Sequence, residues 1–361
     1  MSRPYQVLHM LPDLQVGGGQ TLLLSHIRNL SPSRFEHHVC SVKPLLDMEE
    51  AFHDAGARVH CLDLRRRRDV PRALVRLLRL VRTLRIDLIH TNNTRLDRRF
   101  GECAGTLRRR PVVNTLHGGT GSDPHAWHAV FKRGYERLTS RSVRHVIAVS
   151  ESIRQLYLPS LRAAGLDDRV TLIRPGIDMT RFAHSLSPTG AAELRSELAL
   201  AGTDPVLITV SRLHHGKGLD HLPQIMNTVR QHWPTATLLL VGDGPLRDQI
   251  ETRFKEHGLH DAVRFTSTRH DVPELLMLSD LLVFPSLAEG FGLAPLEAMA
   301  AGRPVAAYAL PVYREFAEDA VTGVFTIRRS PPPGDCRFRH GVRASQPRRR
   351  VRRGTWFRRV L

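Results

Sequence analysis

Two glutamates eight residues apart, Glu289 and Glu297, bracket the stretch Gly290-Phe291-Gly292-Leu293. Gly290 and Gly292 permit a tight turn with backbone N–H groups brought close to a ligand. Pro295 suits a first helical turn, so a helix is expected to begin at Leu293–Pro295. Its unpaired N–H groups and partial positive charge suit a phosphate. Carboxylates on either side could grip hydroxyl groups flanking a diphosphate. The same residues also fit a plainer arrangement, in which Glu297 complements the helix dipole and Glu289 is solvated.

A second group is Ser211-Arg212-Leu213-His214-His215-Gly216-Lys217-Gly218. Arg212 and Lys217 place two cations on one loop, and Lys217 is one of only four lysines in the chain. An arginine fork with a lysine point charge can clamp a diphosphate; a solvated basic loop fits equally. It is not a P-loop, because no Ser or Thr follows the lysine. A third feature is Gly17-Gly18-Gly19, a strand-to-helix turn or a phosphate or sugar contact. It lacks the spacing of a dinucleotide fingerprint.

These residues need elements to hold them. Short apolar runs at Val7–Leu11, Val39–Val42, Val59–Leu62, Leu88–His90, Val112–Leu116 and His145–Val149 read as strands, with helical patterns between most of them. After the turn Arg174-Pro175-Gly176-Ile177-Asp178 the alternation restarts at Val206–Val210, Thr237–Val241, Val263–Thr266, Leu281–Phe284 and Pro304–Ala307. Strand–helix alternation implies parallel sheets covered on both faces. The expectation is two doubly wound α/β domains, 1–173 and 174–327, facing across a cleft, with ligands at the carboxyl ends of the strands.

The chain of 361 residues carries 53 basic and 35 acidic side chains, a net charge of +18. Residues 328–361 hold 12 Arg and one acid, and residues 65–85 hold 9 Arg and one acid. The remainder is therefore 18 − 11 − 8 = −1, which argues against a protein that coats nucleic acid along its whole surface. Segment 65–85 opens on four arginines and continues as an amphipathic helix. Leu74, Leu77, Leu80, Val81 and Leu84 share one face, and Arg72, Arg76, Arg79 and Arg82 the other. That face is either solvated or suited to anionic lipid. Residues 328–361 read as a natural basic tail or as text translated out of frame. No apolar run approaches the ~20 residues of a membrane span, no secretion signal is evident, and the four cysteines show no CxxC spacing. A cytoplasmic location is expected, free or peripheral on the inner membrane face.

Taken together and in this order, the motifs resemble the retaining glycosyltransferases of the GT-B class called glycosyl transferase group 1 or family 4. The glutamate pair with Gly-Phe-Gly between is that family's signature. Also similar are Ser-Arg-Leu…Lys-Gly at 211–218, Val-Gly-Asp-Gly-Pro at 241–245, Arg-Pro-Gly-Ile-Asp at 174–178, Ala-Val-Ser-Glu at 148–151 and Leu-His-Gly at 116–118. The resemblance covers about residues 5–325.

It implies two Rossmann-like domains and a nucleotide-diphosphate-sugar as donor substrate, with no cofactor and no metal; the sequence contains no Asp-x-Asp motif. By the same resemblance Arg212 and Lys217 neutralise the diphosphate and Glu297 holds the nucleotide ribose. Glu289 contacts the transferred sugar, with Gly290, Phe291, Gly292 and Leu293 near sugar and phosphate. Gly18 and Gly19 approach the donor, and His117 meets the sugar near the reacting carbon. The acceptor is expected to be a sugar or a lipid-linked molecule, in cell-surface polysaccharide or glycolipid synthesis. Family members continue with further helices where this chain has its basic tail. Two alternatives therefore stand beside the enzyme: a remnant that binds donor without turnover, and a nucleic-acid-binding protein acting through the tail. The latter lacks any recognised module, and no specific nucleic-acid partner is expected.

Overall fold

The computed structural model describes residues 3–92, 95–118, 140–183, 186–317 and 324–327. The Arg-rich segment 328–361, and the two readings of it, lie outside the described residues. The chain divides into two compact units, Met1–Gly176 and Ile177–Leu361.

In the first unit the apolar runs become β1 (Tyr5–Leu11), β2 (Phe35–Ser41), β3 (Arg58–Cys61), β4 (Leu88–Asn92), β5 (Val112–Leu116), β6 (Val143–Ala148) and β7 (Val170–Leu172). They pair in the order β3-β2-β1-β4-β5-β6-β7, every ladder parallel. The order reverses between β1 and β4, so the chain winds one way from β1 and then the other. Leu8, Met10 and Leu11 of β1 are fully or almost fully buried, as expected of a central strand with both faces covered.

The second unit repeats the plan with β8 (Val206–Val210), β9 (Thr237–Val241), β10 (Val263–Phe265), β11 (Leu281–Phe284), β12 (Val305–Tyr308) and β13 (Val324–Ile327). Its order is β10-β9-β8-β11-β12-β13, again parallel, with the reversal between β8 and β11. Its core runs from Leu207 and Leu238 through Ile250, Phe254 and Val283. Such reversal points are where open α/β sheets leave a crevice at the carboxyl ends of their strands.

Two details differ from the sequence reading. The glycine run does not form a loop of its own. Gly17 caps, and Gly18 and Gly19 start, the helix Gly18–Asn29, four residues ahead of its first apolar position, Leu22. Two strands, β7 and β13, were not foreseen. The amphipathic segment is a helix over Val70–Thr83, with Ala73, Leu77 and Val81 buried and Arg72, Arg79 and Arg82 exposed. Arg76 turns back to donate to the Leu62 carbonyl at 3.1 Å.

One polar feature runs through the first unit's core. The His9 ring lies with Nε2 3.0 Å from Nδ1 of His37 on β2. Its Nδ1 lies 3.0 Å from Nδ1 of His90 on β4. The Nε2 of His90 meets Thr115 Oγ1 on β5 at 2.7 Å. Burial and the neighbouring imidazoles hold His9 well below the ordinary histidine range, and burial foremost brings His90 down to about 3. The row is therefore neutral, with His9 and His90 each donating through one nitrogen and accepting through the other.

Candidate active site

Three loops at the carboxyl ends of β8, β9 and β11 interlock, and the glycines of the motifs are what let them do so. Gly218 lies in the left-handed region (φ +63°), and a Cβ there would overlap the carbonyl oxygen of Pro285. A Cβ on Gly242 or Gly244 would overlap the carbonyl of Ser211 or Leu213. Backbone bonds fasten the same contacts: Leu287 donates to Gly216 at 2.9 Å, and Leu213 donates to Asp243 at 2.9 Å. The Val-Gly-Asp-Gly-Pro motif is thus a support on which the loop 211–218 rests. Two other motifs also have structural work. Ser150 caps the helix Glu151–Ala164 through the N–H of Ile153 at 3.1 Å. Asp178 caps the short turn Met179–Phe182.

The interlock brings together residues 72 apart in sequence. Lys217 Nζ stands 2.7 Å from Glu289 Oε1, their side chains 26% and 11% exposed. Glu289 is therefore not solvated; it is a screened carboxylate holding a cation. Arg212 sits on the same loop with its side chain exposed. Its charge and that of Lys217 both bear on His214, whose pKa is lowered first by burial and then by them.

Beyond Glu289 the turn closes at Gly292 (φ +100°), which caps the helix Leu293–Ala300 without any side-chain cap. The helix starts at Leu293, as its proline implied. Glu297 lies in its second turn. Burial raises its pKa above the usual carboxylate range, opposed by the positive charge of Arg181. Phe291 is buried against Phe316, ring centroids 5.0 Å apart.

In the first unit, His117 follows β5. Burial, with the charge of His26 added, lowers its pKa to about 4, so the imidazole is neutral near pH 7. The residue after it, Gly118, accepts from the Tyr157 hydroxyl at 3.3 Å. At Gly19 an added Cβ would meet nothing within 4 Å, so the protein's own packing does not require glycine there.

Two residues near this site gave no signal in the sequence. Arg181 lies three residues past the Arg-Pro-Gly-Ile-Asp motif, and only the fold shows that it faces Glu297 electrostatically. Tyr313, in the turn Pro311–Glu315, packs its ring against Gly292.

Fold and site define a class: doubly wound parallel-sheet units, one of them carrying a paired lysine and glutamate beside a helix N-terminus that has no side-chain cap, at its strand reversal. Residues 16–181 match the family described as Glycosyltransferase Family 4, and residues 191–331 match Glycosyl transferases group 1. The chain belongs to this family of glycosyltransferases, and its fold is GT-B. It is 28% identical over 233 residues to an uncharacterized glycosyltransferase of Methanocaldococcus jannaschii, covering 62% of this chain and 58% of that protein. It is 24% identical over 238 residues to the UDP-Gal:alpha-D-GlcNAc-diphosphoundecaprenol alpha-1,3-galactosyltransferase of Escherichia coli, covering 64% and 60%. The chain thus spans about three-fifths of the length of these two curated relatives. Among solved structures, Anabaena HepE in complex with UDP and glucose superposes with a TM-score of 0.74 and 24% identity, over 89% of this chain and 85% of that one. Among the described residues, no helix is long and apolar enough to cross a membrane.

Proposed function

We propose that the protein transfers a sugar from a nucleotide-diphosphate-sugar to an acceptor hydroxyl, with retention at the anomeric carbon and without a metal ion. The observation that carries this is the Lys217–Glu289 pair beside the open end of the helix Leu293–Ala300. Breaking the anomeric C–O bond builds positive charge on the sugar and negative charge on the departing diphosphate. Lys217, Arg212 and the helix N-terminus supply fixed positive charge for the latter. Glu289 takes hydroxyls of the transferred sugar, with the backbone of Gly290–Leu293 against sugar and phosphate. Glu297 takes the ribose hydroxyls. The acceptor attacks from the face the diphosphate leaves, and a diphosphate oxygen receives its proton, so no side chain serves as nucleophile. In the first unit, Gly18 and Gly19 approach the donor, a reading supported by the open space at Gly19. His117 contacts the sugar as a neutral imidazole.

The acceptor is a sugar or lipid-linked molecule of cell-surface polysaccharide or glycolipid synthesis. The protein works in the cytoplasm, peripheral on the inner membrane face. Support comes from the exposed arginines of Val70–Thr83 and from a cavity of about 270 Å³ beside them, lined by Arg65, Arg66, Arg68, Arg72 and Arg76 against the two acids Asp63 and Asp69. The relative that acts on a diphosphoundecaprenol-linked acceptor supports it too. A screen of UDP-, ADP- and GDP-sugars for thermal shift and for hydrolysis or transfer tests the activity. Stabilisation without turnover would mark the chain as a donor-binding remnant. Stabilisation by none of them would remove the donor site altogether.

A further inference from the structure

The turn that joins β3 to the helix Val70–Thr83 is folded around a concavity and pinned there. Asp63, the second residue past the strand, lies in the left-handed region (φ +54°), which aspartate tolerates better than most side chains. Its carboxylate meets Arg65 Nε at 2.7 Å and, more loosely, Arg76 Nη1 at 3.9 Å. Arg76 also donates to the Leu62 carbonyl at 3.1 Å, and Asp69 accepts from the Arg66 backbone N–H at 2.9 Å. These contacts shape the cavity of about 270 Å³ that Arg65, Arg66, Arg68, Arg72 and Arg76 line together with Asp63 and Asp69.

The charges of this cavity do not cancel. Five guanidinium groups against two carboxylates leave a net charge of +3. Asp63 is taken up by Arg65 and Arg76, and Asp69 by a backbone N–H. Among the described residues, the guanidinium groups of Arg66, Arg68 and Arg72 have no hydrogen-bond or ion-pair partner. Gathering like charge around a concavity does nothing for folding, but such a cleft concentrates anions. Planar arginine forks match the paired oxygens of a phosphate. Position matters as much as charge. The ladders of this sheet are parallel, so the loop after β3 leaves from the same edge as Gly18 and Gly19 after β1 and His117 after β5. Arg79 and Arg82 of the same helix are exposed and lie outside the cavity. Their open face suits a broad anionic surface, whereas the cavity suits one anionic group.

We propose that this cavity binds a phosphate or diphosphate group of the acceptor, held by Arg66, Arg68 and Arg72, with Asp63, Arg65 and Arg76 fixing the shape of the turn. The molecule that receives the sugar is then phosphorylated, whether free or lipid-anchored. This rests on the glycosyl-transfer reading above. It names a substrate class on which the donor motifs are silent.

The test compares the wild-type full chain with two double variants of equal charge change: Arg66→Gln with Arg68→Gln in the cavity, and Arg79→Gln with Arg82→Gln outside it. Calorimetry measures affinity for inorganic phosphate and pyrophosphate, with excess UDP to occupy the donor site, and affinity for UDP alone. Flotation compares neutral-lipid vesicles carrying a polyprenyl diphosphate with vesicles of the same total charge carrying phosphatidylglycerol. The wild type should bind pyrophosphate. The cavity pair should lower that affinity about tenfold or more, the scale of one lost charge-assisted hydrogen bond, and the outer pair should change it less than about twofold. UDP affinity and melting temperature should match wild type in both. A preference for the polyprenyl diphosphate vesicles that only the cavity pair loses supports a lipid-anchored acceptor. Cavity-dependent pyrophosphate binding without that preference supports a free one. Equal losses of pyrophosphate affinity in the two pairs, or no binding of either anion by the wild type, overturns the assignment. A parallel loss of UDP affinity in the cavity pair overturns it too, by placing the phosphate in the donor. If the wild type binds no nucleotide-sugar, the donor reading fails and the acceptor assignment falls with it. Donor binding with pyrophosphate affinity indifferent to the cavity pair overturns this assignment alone.

Discussion

The Lys217 ammonium stands 2.7 Å from Oε1 of Glu289, across two loops that the paired strands β8 and β11 bring together. This sets up a competition. A diphosphate arriving at Lys217 must share or take the cation that Glu289 now holds, and the sugar attached to it arrives at the carboxylate in the same movement. On the proposed mechanism, removing the lysine deletes the fixed charge on which the leaving group depends. Lys217→Ala is expected to lower kcat/KM for transfer by about 10²-fold or more, the scale of one preorganised electrostatic stabiliser. Steady-state kinetics with the best donor from the screen would measure it. Turnover close to wild type would remove Lys217 from the mechanism.

Glu297 calls for a different experiment, because its side chain is part-buried and its pKa is raised. A group that must be ionised to hold ribose hydroxyls loses that ability as pH falls through its raised pKa. Donor affinity in the wild type should therefore decline toward acid pH earlier than an ordinary carboxylate would dictate. Glu297→Gln should flatten that acid limb, and Glu297→Ala should lower transfer about 10²-fold or more at neutral pH. Donor affinity measured from pH 5 to 8 decides it. Identical acid limbs in wild type and Glu297→Gln would mean that another group titrates.

The strands were legible because central parallel strands are buried on both faces and read as unbroken apolar runs: Val206–Val210 and Leu281–Phe284 were bounded to the residue. β7 was missed for the opposite reason. It is a three-residue edge strand, Val170–Leu172, with no fully buried position. The residue types of the site were legible as motifs, but their partnerships were not. Nothing local links Lys217 to Glu289, or Tyr313 to Gly292; each depends on which strands become neighbours. The imidazole row was hidden likewise. His9, His37 and His90 lie on three different strands, and only the register of β1 against β2 and β4 puts them on one face.

That row predicts how stability depends on pH. In the unfolded chain His9 and His90 take up protons below about pH 6.5. In the folded chain both pKa values are depressed, that of His90 to about 3. The groups facing them, His37, His38, His26 and His117, are lowered as well, chiefly by burial. The unfolded state therefore binds more protons throughout this window, and stability falls as the pH falls. The loss should approach roughly 1 kcal/mol per pH unit for each fully buried imidazole between about pH 6 and 5, before most carboxylates titrate. Urea unfolding at pH 7, 6 and 5 would show it as a falling midpoint with unchanged slope. A flat profile over that range would mean that the row is protonated or solvated in the native state.

The arginine face of Val70–Thr83 yields the last prediction. Arg76 is engaged with the Leu62 carbonyl and should be left alone, whereas Arg72, Arg79 and Arg82 are exposed and can be changed without touching the buried Ala73, Leu77 and Val81. At roughly 1 kcal/mol per basic residue near an anionic surface, replacing the three by glutamine should weaken binding to anionic vesicles about 100-fold. Because the term is electrostatic, wild-type binding should also fall as salt shortens the Debye length. Thermal unfolding should be unchanged within about 0.5 kcal/mol per site, as for ordinary surface substitutions. Flotation with vesicles containing 30% or so of anionic lipid, against vesicles of neutral lipid alone, reads the effect directly. Equal flotation of wild type and triple variant, or equal binding to neutral vesicles, would leave these arginines as a solvated face whose only work is to keep the leucine side turned inward.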